Sequence, residues 1–360
     1  PEHCSATTIV FRAIDESSPD ENGNYQPVAI KLMRFKQHFE RELYARKWYK
    51  LDDDYIVHVV ASYPKEEQLS QWPADIGETL LSEAQEQSLT KDQVEKMFCV
   101  AMRLADRNMF VSLKQERFAG RNFEAVKEIF RQLLLCADHL HRRGILHADI
   151  KPLNIMRVDS SWKLIDLDAA CQIGKDNVCV KYSTGYCPPE AIFVNESRSI
   201  AMPRSPHAIQ MYADKCSPLL AHASFDVWSL GCVLYQMCSR EARPLFVVGQ
   251  DDNLSTTDED SVDDNLFQLE AWSDSLKARK LQQIEDPMAR NLLSLILSKD
   301  PFKRPALSRI LSHPFLTGKE AARLPGSAAE FDLFLSYRVA SDLYVAQALF
   351  DRLSAKGFRI

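Results

Sequence analysis

His147-Ala148-Asp149-Ile150-Lys151-Pro152-Leu153-Asn154 is the stretch on which the reading of this chain turns, and a short turn and strand later comes Leu164-Ile165-Asp166-Leu167-Asp168. Moving a phosphoryl group needs a carboxylate to orient the attacking hydroxyl and hard oxygen ligands for a magnesium ion on nucleotide phosphates. Asp149 is of the type for the first task, and Asn154 and Asp166 for the second. Lys151, two positions beyond Asp149, can set a positive charge on the transferring group. Taken singly, each has a plainer reading, as a surface Asp-Ile-Lys-Pro turn or an aspartate capping a loop.

Working outward, the pair of motifs is one part of an ordered set. Val28-Ala29-Ile30-Lys31 lies upstream; Gly185-Tyr186-Cys187-Pro188-Pro189-Glu190, Asp226-Val227-Trp228-Ser229-Leu230-Gly231 and Asp300-Pro301-Phe302-Lys303-Arg304-Pro305 follow. The hydrophobic pattern agrees with a strand-rich beginning and a helical remainder. Thr7–Ala13, Pro27–Met33 and Phe98–Leu104 read as strands, and Gln37–Leu51 and Phe123–Arg143 read as helices from their apolar spacing. Pro64–Glu95 reads as a polar loop with a short helix. Six motifs in this order resemble the eukaryotic protein kinases of serine/threonine type. The resemblance implies an α+β, bilobal fold over residues 1–316, with a small β-rich lobe over about 1–103 and a large helical lobe over about 104–316.

Residue by residue, the resemblance implies an ATP site in which Lys31 contacts the α- and β-phosphates. Its ion-pair partner on the next helix is Glu42, with Glu40 left open. Val10 and Ala29 would cover the adenine and Met156 would floor it, with Met102 as gatekeeper and Arg103–Ala105 as hinge, Ala105 included. Asp149 would orient the hydroxyl, Lys151 would steady the phosphoryl group, and Thr184 would bond near Asp149 and shape the hydroxyl site. Asn154 and Asp166 would hold Mg2+. Glu190 and Arg304 look like a structural ion pair, and Asp226 would brace the catalytic loop. Lys151 and Thr184 favour serine/threonine over tyrosine substrates. The implied activity is transfer of the ATP γ-phosphate to protein hydroxyls in signalling.

Three positions depart from the family pattern. Aligning Val10-Phe11-Arg12-Ala13 on the family's strand puts His3, Ser5 and Thr8 where the phosphate loop carries glycines, and side chains there limit the approach of backbone N–H groups to phosphate. Glycine is scarce throughout, 11 of 360 residues, under half the usual share of roughly 7%. Asp168 stands where a glycine normally permits backbone flipping, and Ala148 replaces an arginine that would grip a phosphorylated loop. The intact Lys31, Asp149, Lys151, Asn154 and Asp166 point to an active enzyme. The glycine-free loop points to the alternative, a pseudokinase or scaffold.

The formal net charge is −6, and seven acidic residues with no basic ones lie between Asp251 and Asn265, so the rest of the chain carries +1. That excludes a global basic footprint for nucleic acid. The acidic stretch at 251–265 reads as a disordered, solvated loop, with attraction of basic substrates as the other reading. Nine scattered cysteines without a C-x-x-C pair read as reduced cytoplasmic thiols, and no apolar run reaches bilayer length. Pro1 in place of Met and the stop at Ile360 suggest a fragment. Residues 317–329 read as a linker. Phe331-Asp332-Leu333-Phe334-Leu335-Ser336-Tyr337-Arg338 resembles the first strand of a TIR domain, the flavodoxin-like signalling module, so 330–360 reads as its incomplete start. The plainer reading is a strand and helix packed on the preceding lobe. TIR domains act as adaptors or cleave NAD+, and either is open here. Protein substrates with serine or threonine, and TIR–TIR self-association in the complete protein, are the implied partners; nucleic acid and membrane are not.

Overall fold

Alternating and β-branched runs at the start of the chain form one antiparallel sheet. In the computed structural model, which describes residues 3–4, 8–17, 19, 23–63, 98–179, 181–249, 252–254 and 262–318, its strands are β1 (His3–Cys4), β2 (Thr8–Asp15), β3 (Gln26–Met33), β4 (Val59–Tyr63) and β5 (Phe98–Arg103), in the order β1-β2-β3-β5-β4. The register sets Val10 opposite Lys31, Ala29 opposite Met102 and Lys31 opposite Val100. Directly paired residues project to one side of a sheet, so Val10, Ala29, Lys31 and Met102 share a face. Helix α1 (Lys36–Trp48) closes the sheet's core with Phe39 and Leu43, which are buried with Met33, Val57, Val100 and Met102. Trp48, which the apolar spacing sets on the inner face, stacks on Tyr44 at 5.5 Å but is 65% exposed, because the helix ends there.

A second, larger core lies in the helical part. Helix α2 (Phe123–His141) buries Val126, Phe130, Leu133, Leu134, Ala137 and Leu140, the stripe that its spacing predicts. Helix α3 (Ser224–Cys238) is buried on every side, as expected for a helix apolar around most of its circumference. Trp228 meets Trp272 edge-on at 5.5 Å, and the Trp272 indole N–H donates to the Leu297 carbonyl at 2.8 Å on the segment ending helix α4 (Pro287–Ile296). Between the two cores, strands β6 (Ile155–Val158) and β7 (Ser161–Leu164) form a hairpin that carries the residues just after Asn154 and just before Asp166. Two cores, one under a sheet and one among helices, make the α+β, two-lobed arrangement.

The chain divides into two units, Pro1–Thr317 and Gly318–Ile360. The linker expected over 317–329 lies outside the described residues except for Gly318 and for Thr317, which instead closes a short helix from Pro314; the reading of 330–360 as the start of a TIR domain lies outside them too, as do those of Pro64–Glu95 and of Ser5 in the phosphate loop. The solvated loop expected over 251–265 is corrected where it is described: Asp252 is only 4% exposed, and helix begins again at Val262. Burial there comes from a distant charge, described below. The eight described cysteines are all free thiols. Among the described residues, no helix is long and apolar enough to cross a membrane.

Candidate active site

Strand β3 and helix α1 deliver the first pair of charges. Lys31 Nζ lies 3.3 Å from Glu42 Oε2. Glu40, the alternative partner, instead pairs with Lys36 at 3.2 Å. Glu42 is completely buried and fully engaged: Arg46 Nη2 approaches its other oxygen at 2.7 Å, and the Leu167 N–H donates to Oε2 at 2.7 Å. Burial alone would raise the Glu42 carboxyl, but Lys31 and Arg46 hold it below its ordinary value. The helix is thereby tied to the segment beginning at Asp166. On the same sheet face, Met102 packs with Ala105, Met156 and Ile165 into an apolar wall. The N–H groups of Arg103 and Leu104 are spent on the His58 and Pro27 carbonyls. Ala105 N–H has no backbone partner among the described residues, which narrows the hinge expectation to that residue as donor.

The loop at 147–154 is held from below by one carboxylate. Asp226, wholly buried in the first turn of α3, accepts hydrogen bonds from the N–H groups of His147 and Ala148, each at 2.9 Å. These bonds keep Ala148 at φ 66°, in the left-handed region that a residue with a Cβ rarely adopts. His147 Nε2 lies 2.9 Å from the Ile165 carbonyl while its Nδ1 faces the Asp149 N–H at 3.3 Å, so Nε2 carries the hydrogen. Asp149 is 4% exposed. Asn154 Nδ2 donates to its Oδ2 at 3.0 Å and to its carbonyl at 2.9 Å, and Lys151 Nζ stands 3.4 Å from the same Oδ2. Asp149 Oδ1 is the oxygen those contacts leave over.

Asp166 follows β7 with φ 69°. The left-handed backbone therefore falls at Asp166, while Asp168 lies inside a short 3-10 turn and needs no glycine-like conformation. Lys31 Nζ bonds to Asp166 Oδ1, and Lys181 Nζ donates to Oδ2 at 2.9 Å. Burial would raise the Asp166 carboxyl, yet the two ammonium groups hold it well below its ordinary range. The oxygen set suits a hard divalent cation. Asn154 has spent its amide nitrogen on Asp149, so its amide oxygen is left to join Asp166. Clusters of three or more His, Cys, Asp or Glu able to hold a metal are absent among the described residues.

One expectation is corrected. Ser183, not Thr184, reaches the catalytic loop: Lys151 Nζ donates to Ser183 Oγ at 2.7 Å. Thr184 turns the other way, its Oγ1 accepting from the Leu254 N–H at 2.8 Å and donating to Asn253 Oδ1 at 3.2 Å. The reason is the turn that follows, where the N–H groups of Tyr186 and Cys187 both point at the Ser183 carbonyl and fix which hydroxyl faces Lys151. Asp252 Oδ2 approaches Lys151 at 3.3 Å, and the Gly185 N–H donates to the Asp252 carbonyl at 3.2 Å. Lys181, Ser183 and Asp252 carry no motif signal. Only the count back from Pro188-Pro189-Glu190 could have favoured Ser183. Glu190 and Arg304 form a bidentate pair, at 2.6 and 2.7 Å, below this region.

The family model described as protein kinase domain matches residues 86–316. Among curated proteins, the chain is 26% identical over 208 residues to the serine/threonine-protein kinase MPS1 of Encephalitozoon cuniculi, covering 56% of this chain and 29% of that protein. It is 29% identical over 206 residues to the dual specificity protein kinase Ttk of Danio rerio, covering 54% and 18%. It is also 29% identical over 220 residues to the serine/threonine-protein kinase SKS1 of Saccharomyces cerevisiae, covering 59% and 38%. The chain spans less than two-fifths of the length of each of these relatives. With a matched stretch covering well over half of its residues, and with Asp149 held by Lys151 and Asn154 beside the segment that carries Asp166, the chain belongs to the protein kinase domain family.

Proposed function

We propose that this chain is an ATP- and Mg2+-dependent kinase that phosphorylates serine and threonine hydroxyls of proteins. The observation that carries the reading is the meeting of two contact networks, Lys31 with Glu42 and Asp166, and Asp149 with Lys151 and Asn154, beside an apolar cluster. Val10, Ala29, Met102 and Met156 enclose the adenine, and the Ala105 N–H bonds to its edge. Lys31, steadied by Glu42, faces the α- and β-phosphates. Asp166 and the Asn154 amide oxygen hold the metal, whose charge offsets that of the phosphates. Asp149, its Oδ2 fixed by Asn154 and Lys151, presents Oδ1 to the substrate hydroxyl and orients it for in-line attack. Lys151 sets its ammonium, anchored on Ser183, beside the transferring group. Glu190, Asp226 and Arg304 keep the fold and touch no reactant.

γ-Phosphate transfer to the protein itself and to a serine/threonine peptide library tests this, with Asp149→Asn as the control. We expect the variant to lose at least about a hundredfold in kcat while keeping its melting shift with Mg2+ and ATP. Transfer that persists in the variant, or is absent from the parent, would sink the reading. A second reading, a domain that keeps the fold without transfer, is favoured by Lys181 lying on Asp166 and by the loop without glycines; absence of any nucleotide-induced melting shift would select it.

The proposal extends to the remainder of the chain. Residues 330–360 are taken as the start of a TIR domain, supported by Phe331–Arg338, and its self-association in the complete protein would bring kinase domains together. Activity independent of concentration in that protein would count against it. Free thiols at the described cysteines support a reducing, cytoplasmic setting.

A further inference from the structure

Asp166 is already spanned by a cation that belongs to the chain. Lys181 Nζ lies 2.9 Å from Asp166 Oδ2 and 2.6 and 2.7 Å from the two oxygens of Asp168. Lys31 takes the remaining oxygen of Asp166. Asp168 is 1% exposed, and its only other charged or titratable neighbour among the described ion pairs is His38 on α1, with Nδ1 3.7 Å away. Two carboxylates so close and so little hydrated need a positive charge between them. The Lys181 ammonium supplies it from the side of Asp166 opposite Lys31.

We propose that Lys181 is a tethered counter-cation that competes with the divalent metal for Asp166 and Asp168, so that metal binding must displace it. The inference rests on the reading of Asp166 as the metal-holding residue. Three features carry it. Lys181 occupies Asp166 Oδ2, the oxygen that Lys31 leaves over, and an ammonium and a divalent cation brought to one oxygen repel each other strongly at contact distance. Asp168 stands where the family pattern has glycine, and its two short bonds to Lys181 fix that lysine in place. Finally, Lys181 is two residues from Ser183, whose hydroxyl accepts from Lys151. Displacing Lys181 would act two residues from a side chain that borders the hydroxyl site, which is the route by which metal occupancy would bear on substrate access.

Mn2+ titration of the 360-residue protein in saturating ADP, read by electron paramagnetic resonance, tests this without recourse to turnover. Lys181→Met should bind Mn2+ at least about tenfold more tightly than the parent, because one positive charge has left the site. Lys181→Arg, which keeps the charge, should bind it as the parent does. Removing the lysine alone strands Asp168, so a second comparison sets the Lys181→Met/Asp168→Gly double variant against Asp168→Gly, which keeps the lysine, and the double variant should bind Mn2+ at least about tenfold more tightly. Amide exchange at residues 182–185 should rise when Mn2+ is added to the parent. Affinities equal within about threefold in the parent and Lys181→Met, and in Asp168→Gly and the double variant, would overturn the proposal. Mn2+ binding unaltered in Asp166→Asn would instead remove the metal-site reading on which it rests.

Discussion

At the scale of single residues, the buried charges of the candidate site are answered by more than one partner, drawn from both near and distant parts of the chain. Glu42 shows the pattern: one oxygen faces Lys31 and the Leu167 N–H, the other faces Arg46. Glu42→Gln keeps the shape and removes the charge, leaving Lys31 and Arg46 under-compensated. Urea unfolding should show a loss of about 3 kcal/mol, and an unchanged midpoint would contradict this account. Ser183 gives a second case. Its hydroxyl orients the Lys151 ammonium at 2.7 Å, and hydrogen bonds to charged groups contribute about 1.5–3 kcal/mol. Ser183→Ala should therefore lower kcat by about tenfold or more with little change in KM, whereas Thr184→Ala should leave kcat much closer to the parent value. The reverse ranking would restore Thr184 to the hydroxyl site. Lys31, Asp149, Lys151, Asn154 and Asp166 could be singled out in the sequence because each sits in a fixed-spacing motif. It missed Ser183 by one position because neighbouring hydroxyls are chemically alike and only the following turn distinguishes them.

At the scale of elements, what was legible followed the range of the forces involved. Strands β2, β3 and β5 and helices α1 and α2 fall close to where apolar periodicity sets them, since that pattern records burial on a local face. The placement of Asp252–Leu254 was not legible, because acidic composition reads as solvated whereas the burial of Asp252 goes with Lys151, far away in sequence. Its docking is tight. A Cβ added at Gly185 would lie 2.2 Å from Val248 Cγ1 and 2.9 Å from the Asp252 carbonyl oxygen. Gly185 is thus required for close approach, although its φ is unremarkable. Gly185→Ala should cost about 1–3 kcal/mol from overpacking, and should free the Leu254 N–H from Thr184, raising its amide exchange. Unchanged protection at Leu254 would mean that the segment can give way without leaving the site.

At the scale of the whole molecule, the two cores are joined by loops that carry the chemistry, and those loops are fixed by a few saturated polar groups beneath them. Arg304 is the clearest. Its guanidinium has five N–H donors, and it makes five contacts: Nε to the Ser298 carbonyl, Nη1 to Glu190 Oε1 and the Ser224 carbonyl, and Nη2 to Glu190 Oε2 and the Lys299 carbonyl. It also lies over the Trp228 ring at 5.0 Å. One side chain thus ties the Pro189–Ala191 turn, the start of α3 and the segment after α4. Because α3 begins at Ser224 and carries Asp226, which holds His147 and Ala148, the tie reaches the catalytic loop through two hydrogen-bonded steps. A lysine ammonium offers three donors from a single point and cannot span these five positions. Arg304→Lys should therefore destabilise the protein by about 3 kcal/mol while leaving kcat per folded molecule nearly unchanged, since Arg304 touches no reactant. Chemical denaturation gives the first quantity, and turnover normalised to active-site titration gives the second. A fall in normalised kcat with stability intact would mean that this tie positions the catalytic loop rather than merely holding the lobe together.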